Sequence, residues 1–443
     1  MNNNDLLHEL YHSVADGDIK NVENLLAQDN ASNIINALYD GSEFEHGSAL
    51  HKAISRRDIN MATLLLNNGA NVNIQNKYGK TPLHSAILFN SHIDMLRLLL
   101  NNGADVNLPD MHDTSPLHYI IKVSSCSINR IQLLLDNGGN INLQDNNGET
   151  ILHTSASYNR RDIVEFLLNN NADVNIKNKG DKTPVHLAAQ SSNQCILQLL
   201  LDRYPDMVNL QDNDGNTALH LVVKSYLEIL SGGPHILLEF RENIDDRNKR
   251  LIDTLDVLDT LLNMGSDLNI KDNDGQTALH LAVLGYSTLN EAYYLRNADD
   301  NLDISCRSID LIKSLCKNNN VNFILKNNDG YTVLDLALAI EHDQHKIAEH
   351  LQEKRLLWRK EQIDAVNKSL TIIARNNEQI LKTYPEKNDA EKFLENWREL
   401  ARLGMAERIL DALDDDDFGT FQQLNEERKV ELDKVALGEN TNS

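Results

Sequence analysis

Short apolar runs recur along the first three quarters of this chain, each followed by a polar turn, and the pattern returns at nearly constant intervals. Leu98-Leu99-Leu100 leads into Asn101-Asn102-Gly103-Ala104-Asp105-Val106-Asn107, and Phe166-Leu167-Leu168 leads in the same way to Asn175. A second landmark precedes each run, a Thr or Ser followed two residues later by an apolar residue and then by histidine. It occurs as Ser48–His51, Thr81–His84, Ser115–His118, Thr150–His153, Thr183–His186, Thr217–His220 and Thr277–His280. Successive starts lie 33, 34, 35, 33, 34 and 60 residues apart, and a degenerate copy, Thr332-Val333-Leu334-Asp335, follows after 55 more. Self-similarity at this period marks a stack of small supersecondary units that bury apolar faces only against their neighbours.

The local chemistry predicts two short helices per unit. Thr or Ser is an N-cap that accepts an otherwise orphaned backbone N–H, proline at Pro82, Pro116 and Pro184 fits the first helical position, and Gly with Asn or Asp suits left-handed turns. Motif, period and interval together resemble the ankyrin repeat over about residues 1–352. The resemblance implies an all-α solenoid of about nine helix-turn-helix units joined by hairpin-like turns. At the N-terminus Asp5-Leu6-Leu7-His8 is read as the motif of a capping unit, with its second helix over Ile19–Leu26.

Two units are longer. The spacing places insertions at about 227–249 and 286–306, both mixing aromatic and charged residues: Phe240, Arg241 and Glu242 in one, Tyr293, Tyr294 and Arg296 in the other. From Leu351 the motif stops. Leu356, Ile363 and Leu370 recur every seven residues, as do Val366, Ile373 and Ile380, which predicts an apolar seam on one helix. Tyr384-Pro385 ends it, and further helical patterns follow to Val435. Residues 353–435 are read as a helical extension that caps the solenoid, with 436–443 disordered. The chain is expected to be a monomer, with dimerisation through 356–380 as the alternative.

Composition narrows the functional classes. The net charge is −24, and residues 353–410 contribute +2 and 411–443 contribute −7, which leaves −19 on residues 1–352. An acidic array repels phosphate backbones, so nucleic acid is not an expected partner and a protein with a basic or mixed surface is. Four cysteines, Cys126, Cys195, Cys306 and Cys316, show no CxxC spacing and read as reduced thiols. No apolar run reaches the length of a membrane span and the first residues lack signal-peptide character, so a cytoplasmic protein is expected.

Catalytic signatures are missing from the sequence: no phosphate loop, GxGxxG, HExxH or GxSxG occurs, and no cofactor is expected. The recurrent histidines are periodic, which fits a structural bond across each turn better than catalysis. The same holds for Asn73, Asn107, Asn142, Asn175, Asn209, Asn269 and Asn322, whose side chains suit a turn. One irregular group, Glu341-His342-Asp343-Gln344-His345 with Glu349-His350, has helical metal-ligand spacing but falls at an inter-helix turn, and is read as a solvated turn.

In the ankyrin family, partners are gripped by the hairpin tips and the exposed side of the first helices. The resemblance therefore implies a binding surface built from tip residues such as Tyr78, Met111 and His112, and from the variable helix positions Arg56, Leu88, Phe89, Lys122, Val123 and Tyr158. Asp113 and Asp181 stand where the other tips carry glycine. The function implied is non-catalytic protein binding. The alternative is a bacterial effector delivered into host cells, whose array targets a host protein while the tail carries a separate activity or export signal.

Overall fold

The structure, a computed structural model, describes residues 3–28, 31–39, 47–123, 127–231, 244–294, 301–317, 320–339 and 347–358. The helical extension from 359 onward, Cys126, Phe240 to Glu242, Arg296 and the Glu341–His345 group lie outside them. Among the described residues the fold is all-α: helices, one 3-10 turn and two isolated bridges, Tyr39 with Gly47 and Lys326 with Thr332. The chain divides into two compact units, Met1–Ser225 with Glu242–Gly265, and Tyr226–Arg241 with Ser266–Ser443.

In the first unit each repeat from Ser48 to Thr183 has a short first helix and a longer second one, whereas the N-terminal repeat has a longer first helix, Asn3–Asp16, and a shorter second, Ile19–Leu26. The Thr81 repeat has Pro82–Leu88 and Ile93–Asn101, the Ser115 repeat Pro116–Lys122 and Ile128–Asp136, and the Thr150 repeat Ile151–Ser157 and Arg161–Asn169. The first helices start where the sequence places them because extended backbone at the cap meets a helix-compatible N1, supplied by proline in three of the first-unit repeats. Leu83, Ile87, Leu96 and Leu99 of one repeat are fully buried. Removing a leucine-sized side chain from water stabilises by about 1.5–3 kcal/mol, so these thin layers hold the stack repeat by repeat.

Asparagine links consecutive repeats. Asn73 Nδ2 donates to Gly103 O at 3.0 Å and its Oδ1 accepts from Asp105 N at 2.8 Å. Asn107 does the same with Gly138 O and Asn140 N, both at 2.8 Å, and Asn36 with Gly69 O and Asn71 N. These asparagines thus act between turns, where the sequence pointed only to the turn itself. In the second unit Asn269 repeats the arrangement with Asn320 O and Asn322 N.

The N-terminal motif is displaced from its expected register. Asp18 and Asp58 cap the second helices of their repeats in the same way, accepting from Asn21 N and Met61 N, which puts Tyr11 where His51 stands in the next repeat. Tyr11 is buried, whereas His8 is exposed in mid-helix of Asn3–Asp16 with its ring 4.2 Å from that of His12. Asp5–His8 lacks the cap that would start a helix there, because the helix already runs from Asn3.

The long repeats are built by lengthened helices. Ala218–Ser231 runs past the expected end at Tyr226, and Ile244–Asn263 begins before Leu251. Thr254 Oγ1 lies 2.7 Å from Ser192 Oγ, and Gln194 Nε2 donates to Thr260 Oγ1 at 3.2 Å, which ties that second helix to Gln194–Arg203. In the second unit Ala278–Tyr294 and Asn301–Leu315 pack together, so Tyr293 and Tyr294 are helical, and Tyr226 Oη donates to Arg307 O at 3.2 Å. The last repeat has Val333–Leu338 and the helix 347–358.

Candidate protein-binding surface

Each tip is a tight turn closed by its first residue. The side chain of Asn76 accepts from Tyr78 N and Lys80 N, both at 3.0 Å, while Asn76 N donates to Lys80 O at 3.0 Å and Gly79 N to Asn76 O at 2.9 Å. Asp110, Asp145, Asn178 and Asp212 repeat the pattern. Asp and Asn are selected here because a short side chain can accept from backbone two and four residues ahead. At the fourth position the backbone turns left-handed, with φ of 73° at Gly79 and 75° at Gly148. Asp113 and Asp181 adopt it too, at 53° and 55°, so their tips keep the same turn without glycine.

Neighbouring tips are pinned to one another. Met111 N donates to Tyr78 O at 3.2 Å, Asn146 N to His112 O at 3.2 Å, Lys179 N to Asn147 O at 2.9 Å and Asn213 N to Gly180 O at 3.0 Å. The row of tips is therefore set before any partner arrives.

Behind the tips runs the histidine column. His84 Nδ1 accepts from Thr81 N at 3.1 Å and faces the Thr81 hydroxyl at 2.9 Å, while Nε2 lies 3.0 Å from Thr114 O of the next repeat. A carbonyl oxygen can only accept, so the proton sits on Nε2 and Nδ1 is left as the acceptor. His51, His118, His153, His186 and His280 bridge in the same way to Lys80, Glu149, Lys182, Leu210 and Tyr331 carbonyls. Burial pushes His51, His84, His153 and His280 down to about 4 and lowers His118 and His186, so these rings are neutral near pH 7. They bind repeats to each other and carry no spare acid or base.

The sequence-predicted surface residues fall into two columns. Tyr78, Met111 and His112 stand on the tips and are exposed, and the Met111–Tyr78 backbone bond brings two of them together. Arg56, Phe89, Val123 and Tyr158 close successive first helices, with Leu88 and Lys122 as the last residues of theirs. A seven-residue helix spans about 10 Å, so tips and helix ends form the two edges of a band instead of one continuous patch. Val123 is half-buried and the rest are exposed, the apolar ones from 36% for Leu88 to 60% for Met111. Of the eight large apolar side chains exposed in the described first unit, these edges hold five, the others being Ile19, Leu38 and Ile252.

Several residues of this band carry bonds that the sequence did not announce. Arg57 Nε donates to Phe89 O at 2.9 Å and Arg56 donates to Ala15 O, so both arginines clasp an adjacent repeat. Tyr119 Oη donates to Asp110 Oδ2 at 2.6 Å, and its ring meets His84 edge-on at 5.4 Å. Burial works to raise the Asp110 carboxyl, but Tyr119 and the His112 and Thr114 N–H groups outweigh it and hold it below its ordinary value. Lys77 Nζ lies 5.0 Å from the Tyr78 ring centroid and Lys80 Nζ 5.2 Å from that of Tyr119. No periodic signal flags Tyr119, which sits at a position where other repeats carry different residues.

Other chemistry in the described residues is sparse. No group of three or more His, Cys, Asp or Glu is placed to hold a metal ion. Cys316 is buried and pushed up to about 12 by that burial, which leaves it a thiol. No described helix is long and apolar enough to cross a membrane.

A family model described as ankyrin repeats (3 copies) matches residues 10–110 and 173–232, and one described as ankyrin repeats (many copies) matches residues 134–188. No curated protein matches the chain.

Proposed function

The chain belongs to the ankyrin repeat family, whose members are in general protein–protein interaction modules, and we propose that this one binds a partner protein on the tips and first-helix ends of its first unit. The observation that carries the reading is the concentration of exposed Tyr78, Leu88, Phe89, Met111 and Tyr158 along those two edges. Aromatic side chains and methionine are enriched where interfaces have their energy, and exposed apolar groups in such number rarely lack a partner. The tip-to-tip hydrogen bonds support it from another side. A surface already ordered gives up little conformational freedom on association, so more of the contact energy appears as affinity.

We assign the activity to the array over residues 1–352 and take it to be binding without catalysis. The test is affinity capture with the full chain and with the Phe89→Ala/Tyr158→Ala double variant. A protein retained by the first and lost by the second, with the urea midpoint unchanged, is the expected result. Capture of the same proteins by both overturns the assignment of the surface.

A further inference from the structure

The net charge of −24 points to a basic partner, but charge is not spread evenly over the array. The tips and first helices at 47–57, 76–89 and 110–123 hold six basic residues, Lys52, Arg56, Arg57, Lys77, Lys80 and Lys122, against two acidic ones, Asp110 and Asp113. Asp110 is buried and its carboxylate is taken up by Tyr119 and by backbone N–H groups. The described ion pairs, His92–Asp94, Lys177–Asp181 and Arg203–Glu165, leave Lys77 and Lys80 out, while Lys122 interacts electrostatically with Glu149 of the next tip. Lys77 and Lys80 instead lie over tyrosine rings, which holds the cation at the surface beside an aromatic face.

Resting on the reading above that this face binds a protein, we propose that its partner is an acidic segment, one that sets carboxylates against Lys77, Lys80 and Lys122 and an apolar side chain against Phe89 and Met111. Screening makes the local sign decisive. At physiological salt the Debye length is about 8 Å, so acidic residues beyond that distance do not cancel this patch, while it speeds the encounter with an oppositely charged segment. A peptide is favoured over nucleic acid for the same reason of scale. A phosphate backbone carries its charge over a long dense path and would run from this patch onto acidic surface, whereas a short peptide ends where the patch ends.

The probe is fluorescein-labelled poly-L-glutamate, titrated with the full chain and followed by anisotropy at low and physiological salt, beside labelled poly-L-lysine and oligothymidylate. The expected result is binding of poly-glutamate that weakens with salt, and a loss of roughly tenfold or more in K77E/K80E/K122E. Lys249→Glu, exposed on Ile244–Asn263, should leave it unchanged, and the triple variant should bind poly-lysine no more weakly than the original chain. Urea midpoints and the milder K77Q/K80Q/K122Q guard against misfolding. No poly-glutamate binding, an equal loss in Lys249→Glu, or tighter binding of oligothymidylate overturns the proposal. If that happens while Phe89→Ala/Tyr158→Ala still releases a captured protein, only the charge class falls and the binding surface stands.

Discussion

His84 Nε2 donates to the Thr114 carbonyl at 3.0 Å, joining the start of one repeat to the end of the next repeat's tip. With Nδ1 accepting from Thr81, one ring satisfies polar groups of two repeats inside a dry layer.

His84→Ala should therefore destabilise more than the loss of a partly exposed imidazole. It leaves the Thr114 carbonyl and the Thr81 N–H buried and unpaired, at about 1–3 kcal/mol for each unmade bond. Urea unfolding followed by circular dichroism measures it. A change below about 0.5 kcal/mol would show that water replaces the ring without cost.

Acid should unlock the same column. His51, His84, His153 and His280 stand at about 4 when folded and near 6.5 when unfolded, so the unfolded chain binds more protons between those values. Their stabilisation is fully present above pH 6.5 and is lost as pH falls toward 4, on the order of a few kcal/mol per ring. Urea midpoints at successive pH values should decline across that window. A flat profile from pH 6.5 to 4.5 contradicts the neutral, bridging imidazoles.

At Gly79 glycine is favoured by a neighbour as well as by φ. A Cβ on Gly79 would lie 2.6 Å from Met111 N, whereas one on Gly69, at φ 90°, meets nothing within 4 Å. Gly79→Ala is expected to cost about 2 kcal/mol or more and to shift the Tyr78 and Met111 tips, against about 1 kcal/mol for Gly69→Ala. Equal losses, measured by thermal unfolding, would mean that the tips move apart freely.

The asparagine ladder gives a matched pair. Asn107 bonds to Gly138 O and Asn140 N of the next turn, while Asn175 bonds within its own turn to Asp173. Asn107→Ala should cost about 1–2 kcal/mol and Asn175→Ala a few tenths, the difference being the link between repeats. Similar values in urea titrations would place the asparagines' role in the turn alone.

The repeat, its helices and their caps were legible because Thr81, Pro82 and His84 each perform a local task that leaves a mark at fixed spacing. Some links between repeats left none: Asn36 stands outside the regular series, and Arg57 reaches Phe89 through a bond that no motif encodes. At the N-terminus Tyr11 replaces the histidine, so the imidazole of His8 marks a displaced register and Asp18 marks the actual one. The candidate surface came from the family resemblance, which did not show its division into two edges, since that depends on the length of the first helices. The excess of basic over acidic residues on the tips and first helices within 47–123 does not show in the net charge of the array, although the tips toward the N-terminal side already read as basic.

The most direct test of the binding surface is photo-crosslinking. p-Benzoylphenylalanine is placed at position 89, at the end of a first helix, or at position 94, exposed on the second helix Ile93–Asn101 of the same repeat. The expected result is discrete protein adducts from position 89 and none from 94. Adducts from 94 with none from 89 would contradict the assignment and move the partner to the opposite side of the repeats.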